Sequence, residues 1–483
     1  MKRIDLRLYA LSTSAVFVIL LCLGMAMRLN QADMIHLGPL RFYAFMTLHG
    51  LGMVGTLSVA ATGGLFWLLR DYVSIGARMV RFLFACYLLA VLGLLAATVV
   101  GGFAPGWYML YPLPFESMGT WPRWSVGLAI VSLMVLGNAL LLSQYAMLTA
   151  IVRKYGLRGA VGWQYFRADP RLETPAPVLI AVCSYLLPGV VTSFAGSVLM
   201  LMYFVQWIQP GMHYDPLLLK NLMMLWGHTM ANISLYVGVA FVYQILPGYT
   251  GRPWKTNRVV VLAWNAVFVF VLFAFFHHLY QDFVEPFALA VIGQIASYAS
   301  AVPSTVVTVT GVIAQIYRSG MKWRFAPLAV VVGIIGWIAG GFAAVIDSTI
   351  MVNNVLHNTL FVPAHFHTYY LLGLLPMVIG YYYDSLQASA ESVAMGGLSL
   401  LCVGSFGFLA MFYVAGALQV PRRYSDYDAI PLAGLRAVGQ GSALLGALFA
   451  ALVLLAVALL AAAFVRRARA APEAGAAAGV RPT

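Results

Sequence analysis

Apolar runs separated by short polar breaks set the rhythm of this chain. Twelve runs are long enough to matter: 8–27, 42–69, 80–102, 125–152, 178–205, 218–246, 259–280, 287–317, 326–346, 362–383, 393–418 and 437–464. Crossing a bilayer as a helix takes about 20 apolar residues. A helix also satisfies its own N–H and C=O groups, which lipid cannot do. The pattern therefore predicts an all-α integral membrane protein with twelve transmembrane helices, folded as one unit over residues 1–467. The first run is expected to be a retained span: it is long, and no small-residue cleavage site follows it. The Ala/Gly/Pro-rich stretch 468–483 is expected to be a disordered cytoplasmic tail. No soluble domain and no short internal repeat is visible.

Composition agrees. The chain is 62% hydrophobic and 9% charged, with a mean hydropathy of +0.88, whereas soluble domains carry about 25% charged residues. A net charge of +13 raises nucleic-acid binding, but the placement of the charges argues against it. With the N-terminus inside, the inner loops and basic termini hold 21 of the 28 Lys and Arg, among them Arg153, Lys154, Arg158, Arg167, Arg171, Arg252, Lys255, Arg258, Arg318, Lys322 and Arg324. This is the positive-inside rule, and it places both termini in the cytoplasm. The four cysteines, Cys22, Cys86, Cys183 and Cys402, lie within spans. There is no C-x-x-C-H for covalent haem and no paired-Cys copper motif.

The chemistry is concentrated in histidine. Six of the nine, His49, His228, His277, His278, His365 and His367, lie inside or at the mouth of the apolar runs. Ionisable groups at membrane depth are costly and mark function, and neutral imidazole is the commonest metal ligand. His365 and His367 are two apart, so on a helix they point about 200° from each other and can serve different groups on opposite sides, with Phe366 between them to pack against both. Gly50 and Gly52 beside His49 are expected to let a flat macrocycle approach the backbone. His228 in the sixth run and His277–His278 at the outer end of the seventh make a three-imidazole set suited to copper or non-haem iron. The bland alternative for any one of them is an interhelical hydrogen bond. For the set of six, ligation explains more. His36 and His213 fall in loops and are expected to be incidental.

At this point the motifs resemble those of subunit I of the haem–copper oxidase superfamily, across all twelve runs. The pieces are Arg41 with Thr47-Leu48-His49-Gly50 and Met53, Gly106-Trp107 with Tyr111-Pro112, Trp226-Gly227-His228, His277-His278, Pro303-Ser304, the run from His357-Asn358-Thr359 to Pro363-Ala364-His365-Phe366-His367, and Pro421-Arg422-Arg423-Tyr424-Ser425-Asp426-Tyr427. The resemblance implies that His49 and His367 are axial ligands of a low-spin haem, that His365 is the axial ligand of a high-spin haem, and that His228, His277 and His278 hold copper facing it. It implies that Arg422 and Arg423 pair with haem propionates, a task the guanidinium fork suits, and it places His357 near them.

The departures from the family pattern narrow the reaction. Oxidases carry a tyrosine four residues after the first copper ligand, and here that residue is Asn232. A second oxidase class places it about six residues before the His pair, where this chain reads Val271-Leu-Phe-Ala-Phe-Phe-His277. Splitting dioxygen in one step takes four electrons, of which the tyrosine normally gives one. Coupling two nitric oxide molecules takes only two, which the metals supply. The familiar nitric oxide reductases place a glutamate ligand of non-haem iron where this chain has Asn232, so three His without a carboxylate favour copper, with iron as the alternative. The expectation is a copper-containing nitric oxide reductase, with Asn232 one helical turn from His228 and able to bond nitric oxide or its coupled product. Its bland role is an interhelical hydrogen bond.

Proton supply also departs from the family. The chain has His228-Thr229-Met230 where the major oxidases read His-Pro-Glu, and Val307 where they carry a channel lysine. Ser304 and Thr308 share a helix face and can order water, or else bond their own backbone. Asp282 and Glu285 are candidates for proton delivery from outside. Weak pumping or none is expected. Two competing readings remain: a terminal oxidase that uses Tyr236 or Tyr280, and a His-relay transporter, which broken helices or inverted repeats would favour. The resemblance further implies two haems, with haem b the expected type, and the bacterial inner membrane as the location. It implies a second subunit carrying the electron-accepting periplasmic domain, and cytochrome c or a small copper protein as donor, with quinol as the alternative.

Overall fold

The computed structural model describes residues 1–166, 175–282 and 284–465. Arg167, Arg171 and the stretch 468–483 lie outside these. The described chain is helical, without a sheet, and an isolated bridge joins Thr359 to Pro421. The helices are α1 (Arg3–Gln31), α2 (Pro39–Leu69), α3 (Ala77–Leu95), α4 (Arg123–Ala160), α5 (Pro177–Ile208), α6 (Pro216–Thr250), α7 (Arg258–Ala274), α8 (Phe287–Ile316), α9 (Phe325–Ser348), the short α10 (Ile350–Leu356), α11 (Phe361–His367), α12 (Leu375–Leu386), α13 (Glu391–Ala417) and α14 (Ala433–Val465). Eleven continuous helical segments are long and apolar enough to cross a membrane. The twelfth crossing is α11, a π-helical turn over Thr368–Leu374, and α12. The twelve predicted spans thus all appear, and the chain is a multi-pass membrane protein.

Local chemistry sets the starts. Pro39, Pro177 and Pro216 open their helices at a position where a missing N–H costs nothing. Asp215 caps α6 by accepting the Leu218 N–H at 2.8 Å, and Asn257 caps α7 by accepting that of Val260 at 3.0 Å. Gly251 ends α6 in the left-handed conformation.

Packing separates an inner from an outer layer. In α2, α5 and α6, 78%, 78% and 83% of the most apolar window is buried, against 22% in α1 and 28% in α8. The inner three therefore carry the core, and the outer ones turn apolar side chains to lipid. Lipid supplies no hydrophobic drive between helices, so close approach rests on small residues. On α9, a Cβ added at Gly336 would lie 2.2 Å from the Leu372 carbonyl, and one at Gly333 would lie 2.3 Å from Met377 Cγ. On α13, Gly416 sits against the Phe361 backbone N–H in the same way, at 2.1 Å. Helices α9 and α13 thereby grip the segment that carries His365 and His367.

Candidate metal centre

One cavity of about 640 Å³ runs through the end of the bundle where α1 finishes and α2 begins, and all six histidines line it. His49 comes from the middle of α2 and His228 from α6. His277 and His278 lie on the 3₁₀ turn Phe275–Leu279 that ends α7, and His365 and His367 lie on α11.

His49 and His367 face each other, with ring centroids 6.3 Å apart and planes 22° apart. Each commits Nδ1 to a carbonyl: His49 to Leu20 at 2.8 Å and His367 to Pro363 at 2.7 Å. The carbonyls accept, so Nδ1 carries the proton and Nε2 keeps a lone pair for a ligand. His228, His277 and His278 bring their ligand atoms within 4.8 Å of one another. His277 Nδ1 meets Ser297 Oγ at 3.1 Å, while His277 Nε2 and His228 Nδ1 are buried without a hydrogen-bond partner. Buried polar atoms are ordinarily bonded, so three converging imidazoles with orphan nitrogens fit a metal ion. His365 turns away from His367, as the spacing predicts, and its ring meets Tyr369 edge-on at 5.1 Å. Phe366 stacks on Tyr370 at 4.6 Å and meets His367 at 6.0 Å, so it packs against one of its histidine neighbours only.

Arg422, Arg423 and Lys220 make one mouth of the cavity cationic. Arg422 is 8% exposed, its backbone N–H donates to Asn358, and its Nε has no partner. Burial pushes the guanidinium pKa down from its ordinary value, with Arg423 adding to the effect. A buried cation with an idle donor suits an anionic ligand. Arg423 is exposed, in the left-handed backbone region at φ 68°, with its guanidinium 4.1 Å over the Tyr108 ring. His357 is buried 6.0 Å from the His278 ring, and burial, with Arg422 next, pushes its pKa down to about 3, leaving it neutral. His36 and His213 are exposed, as expected of loop residues.

Several expectations change. The Cβ positions of Gly50 and Gly52 are taken by Trp107, at 2.5 Å, and Leu20, at 2.8 Å, so these glycines make room for side chains and not for a macrocycle. Gly24 of α1 faces the His49 ring: a Cβ added there would lie 2.7 Å from His49 Cε1. Asn232 lines the cavity, and among the described residues its side-chain amide makes no hydrogen bond. Tyr236 and Tyr280 do not line the cavity: Tyr236 packs edge-on against Trp264 at 5.5 Å, and Tyr280 donates to the Ser348 carbonyl. Tyr369 and Tyr370 do line it, and sequence reasoning missed both. Their nearness to His365 in the chain was the available signal. Ser304, Thr305 and Thr310 bond their own helix backbone, whereas Thr308 pairs with Tyr243 at 2.9 Å. Asp282 and Glu285 are already engaged by Lys220 and Asn221. Asp347, fully buried in the last turn of α9 with both carboxylate oxygens unpartnered, was also missed. A lone acid at the very end of an apolar run was the signal for it.

Comparison with known proteins follows this geometry. Residues 6–448 match the family described as Cytochrome C and Quinol oxidase polypeptide I. The chain is 24% identical to ubiquinol oxidase subunit 1 of Acetobacter aceti over 417 residues, covering 81% of this chain and 60% of that one. It is 26% identical to a probable cytochrome c oxidase subunit 1 of Bradyrhizobium diazoefficiens over 428 residues, covering 83% and 61%. It therefore spans about three-fifths of the length of these two relatives. A solved structure of a heme-copper terminal oxidase dimer superposes with a TM-score of 0.78 at 18% identity, covering 96% of this chain and 83% of that one, which makes the fold the same.

Proposed function

Because the chain belongs to the cytochrome c and quinol oxidase polypeptide I family of the haem–copper oxidases, we propose that it is a respiratory catalytic subunit that reduces two nitric oxide molecules to nitrous oxide and water. His49 and His367 hold a low-spin haem, His365 holds a high-spin haem, and His228, His277 and His278 hold a copper ion. Arg422 and Arg423 neutralise the haem propionates. When bound, these metals would supply the two electrons that reduction of two nitric oxide molecules takes, with two protons completing the water. Haem b is the type expected from the resemblance to nitric oxide reductases. Copper is preferred to iron because no carboxylate joins the imidazole trio.

Asn232 carries this reading. It stands where oxidases keep their redox tyrosine, it lines the cavity one turn from His228, and its amide has no protein partner. A free amide N–H on the wall of this cavity is placed to bond an oxygen of bound nitric oxide or of the coupled product. The chain sits in the bacterial cytoplasmic membrane with both termini inside, beside a second subunit that takes electrons from cytochrome c or a small copper protein.

One observation favours a terminal oxidase instead. Tyr369 lies against His365 and lines the cavity, a position from which a phenol can give up an electron and a proton. Gas turnover separates the two readings. With reduced donor and nitric oxide but no oxygen, the reductase makes nitrous oxide quickly. With oxygen alone, it consumes oxygen slowly. Fast oxygen uptake with little nitrous oxide overturns the reductase and selects the oxidase.

A further inference from the structure

Two elements bring the imidazole trio together, α6 with His228 and the turn Phe275–Leu279 with His277 and His278, and little joins them near the ligands. The apolar seam between them is a small cluster of three buried residues, Met224, Phe275 and Leu279. The other polar ties of the His277 segment run elsewhere: Nδ1 to Ser297 of α8, and the backbone carbonyl to Asn353 of α10. The one side-chain tie to α6 beside the ligands, Thr229 Oγ1 to the Val271 carbonyl, is long at 3.5 Å.

Two short polar bridges close the gap at the outer mouth. Lys220 Nζ sits 2.6 Å from each carboxylate oxygen of Asp282, with side-chain exposures of 27% and 23%. One residue along, Asn221 Nδ2 donates to Glu285 Oε1 at 2.7 Å. Lys220 and Asn221 stand about two helical turns before His228 on the same continuous helix. Asp282 follows His278 by four residues, in a turn braced by its own backbone bonds, Asp282 N–H to the Leu279 carbonyl and Glu285 N–H to that of Asp282.

We propose that Lys220–Asp282, seconded by Asn221–Glu285, is a clamp that sets the spacing between His228 and the His277–His278 turn. These are positioning residues: they fix the metal-binding geometry and neither ligate the metal nor deliver protons. A half-buried pair is less screened than a surface one, and removing one partner leaves the other charge stranded. Outer-shell partners of metal-ligating groups change affinity by about 10–100-fold, and this clamp acts in that range. The inference rests on the copper assignment made above.

The test is copper retention by the purified complex during dialysis against graded chelator, read as copper per haem, with copper-edge X-ray absorption to report the ligand set. Wild-type protein without bound copper would remove the copper assignment itself. With copper present in the wild type, Asp282→Asn is expected to release it at least about 10-fold more readily while both haem absorbances stay unchanged. The charge exchange, Lys220→Asp with Asp282→Lys, is expected to restore retention. Wild-type retention and an unchanged absorption edge in Asp282→Asn overturn the clamp. If Asp282→Asn loses haem as well, the exchange variant decides: restored copper supports the clamp, and unrestored copper in a haem-replete protein overturns it.

Discussion

Replacing Gly336 by alanine tests how the bundle grips its ligand helix. The new Cβ would lie 2.2 Å from both the carbonyl carbon and the carbonyl oxygen of Leu372 and 2.7 Å from Gly373 N. Ordinary contact begins at 3.4 Å, so the methyl is about 1.2 Å short of room. Its obstacle is backbone, which cannot rotate aside as a side chain does. Helix α9 and the π-helical turn Thr368–Leu374 must therefore separate by a sizeable part of an ångström. Overpacking of this kind costs about 1–3 kcal/mol. The displaced turn directly follows His367, so the histidines shift with it. Misplacement of reacting groups by about 1 Å lowers rates on the order of 10²-fold. Gly341→Ala, five residues along the same helix, is the matched control. Its methyl would meet only the Tyr369 hydroxyl, at 3.7 Å, and alanine favours the helix by about 1 kcal/mol. Both variants are heated at one scan rate while haem absorbance is followed, and gas turnover is measured before heating. Gly336→Ala should lose haem several degrees earlier and turn over far more slowly, with Gly341→Ala close to wild type. If the two variants melt and turn over alike, the α9 contact is not tight and the reasoning fails.

Other outcomes follow from the site. Asn232→Ala should slow nitrous oxide production by about 10–100-fold, the worth of one or two hydrogen bonds, with copper and haem content intact; an unchanged rate removes Asn232 from the reaction. Tyr369→Phe should leave nitric oxide turnover unaltered, and a lost oxygen-consuming activity in that variant would instead identify the redox tyrosine. His367→Ala should remove the low-spin haem absorbance, whereas His228→Ala should keep it and lower copper per haem; the reverse pattern would refute both assignments. Asp347→Asn replaces an unpartnered buried carboxylate with a neutral amide, so thermal stability should hold or rise. A marked fall would mean that the carboxylate holds a cation.

Much of this was readable in the chain, and the reasons are physical. Long apolar runs define spans because lipid permits little else, so the boundaries 326–346 and 393–418 lie within a few residues of α9 and α13. Histidines in such runs stand out because nothing else explains their cost. Contacts made across the bundle were not readable. Gly50 and Gly52 lie beside His49 in the chain, but which side chain fills the space above a glycine depends on the neighbouring helix. Asp282 looks like a free acid until Lys220, 62 positions earlier, is brought to it by the fold. Tyr369 stands four residues after His365, so helical spacing alone sets it beside that ligand; that its ring also opens onto the cavity is a property of the folded bundle.

The π-helical turn Thr368–Leu374 makes the segment tolerant of a change in length in a way that its composition conceals. It is wound with five-residue hydrogen-bond spacing, so it holds one residue more than an α-helix would over the same rise. Loss of one residue from an α-helical stretch rotates everything beyond it by about 100°. Loss of one from this turn would instead let it relax to α over the same rise and leave the register beyond it unchanged. Met377, Tyr381 and Tyr382, buried against the inner helices, would keep their neighbours, and so would His365 and His367 on the near side. The crossing can therefore be shortened by one residue here at less cost than along α9 or α13.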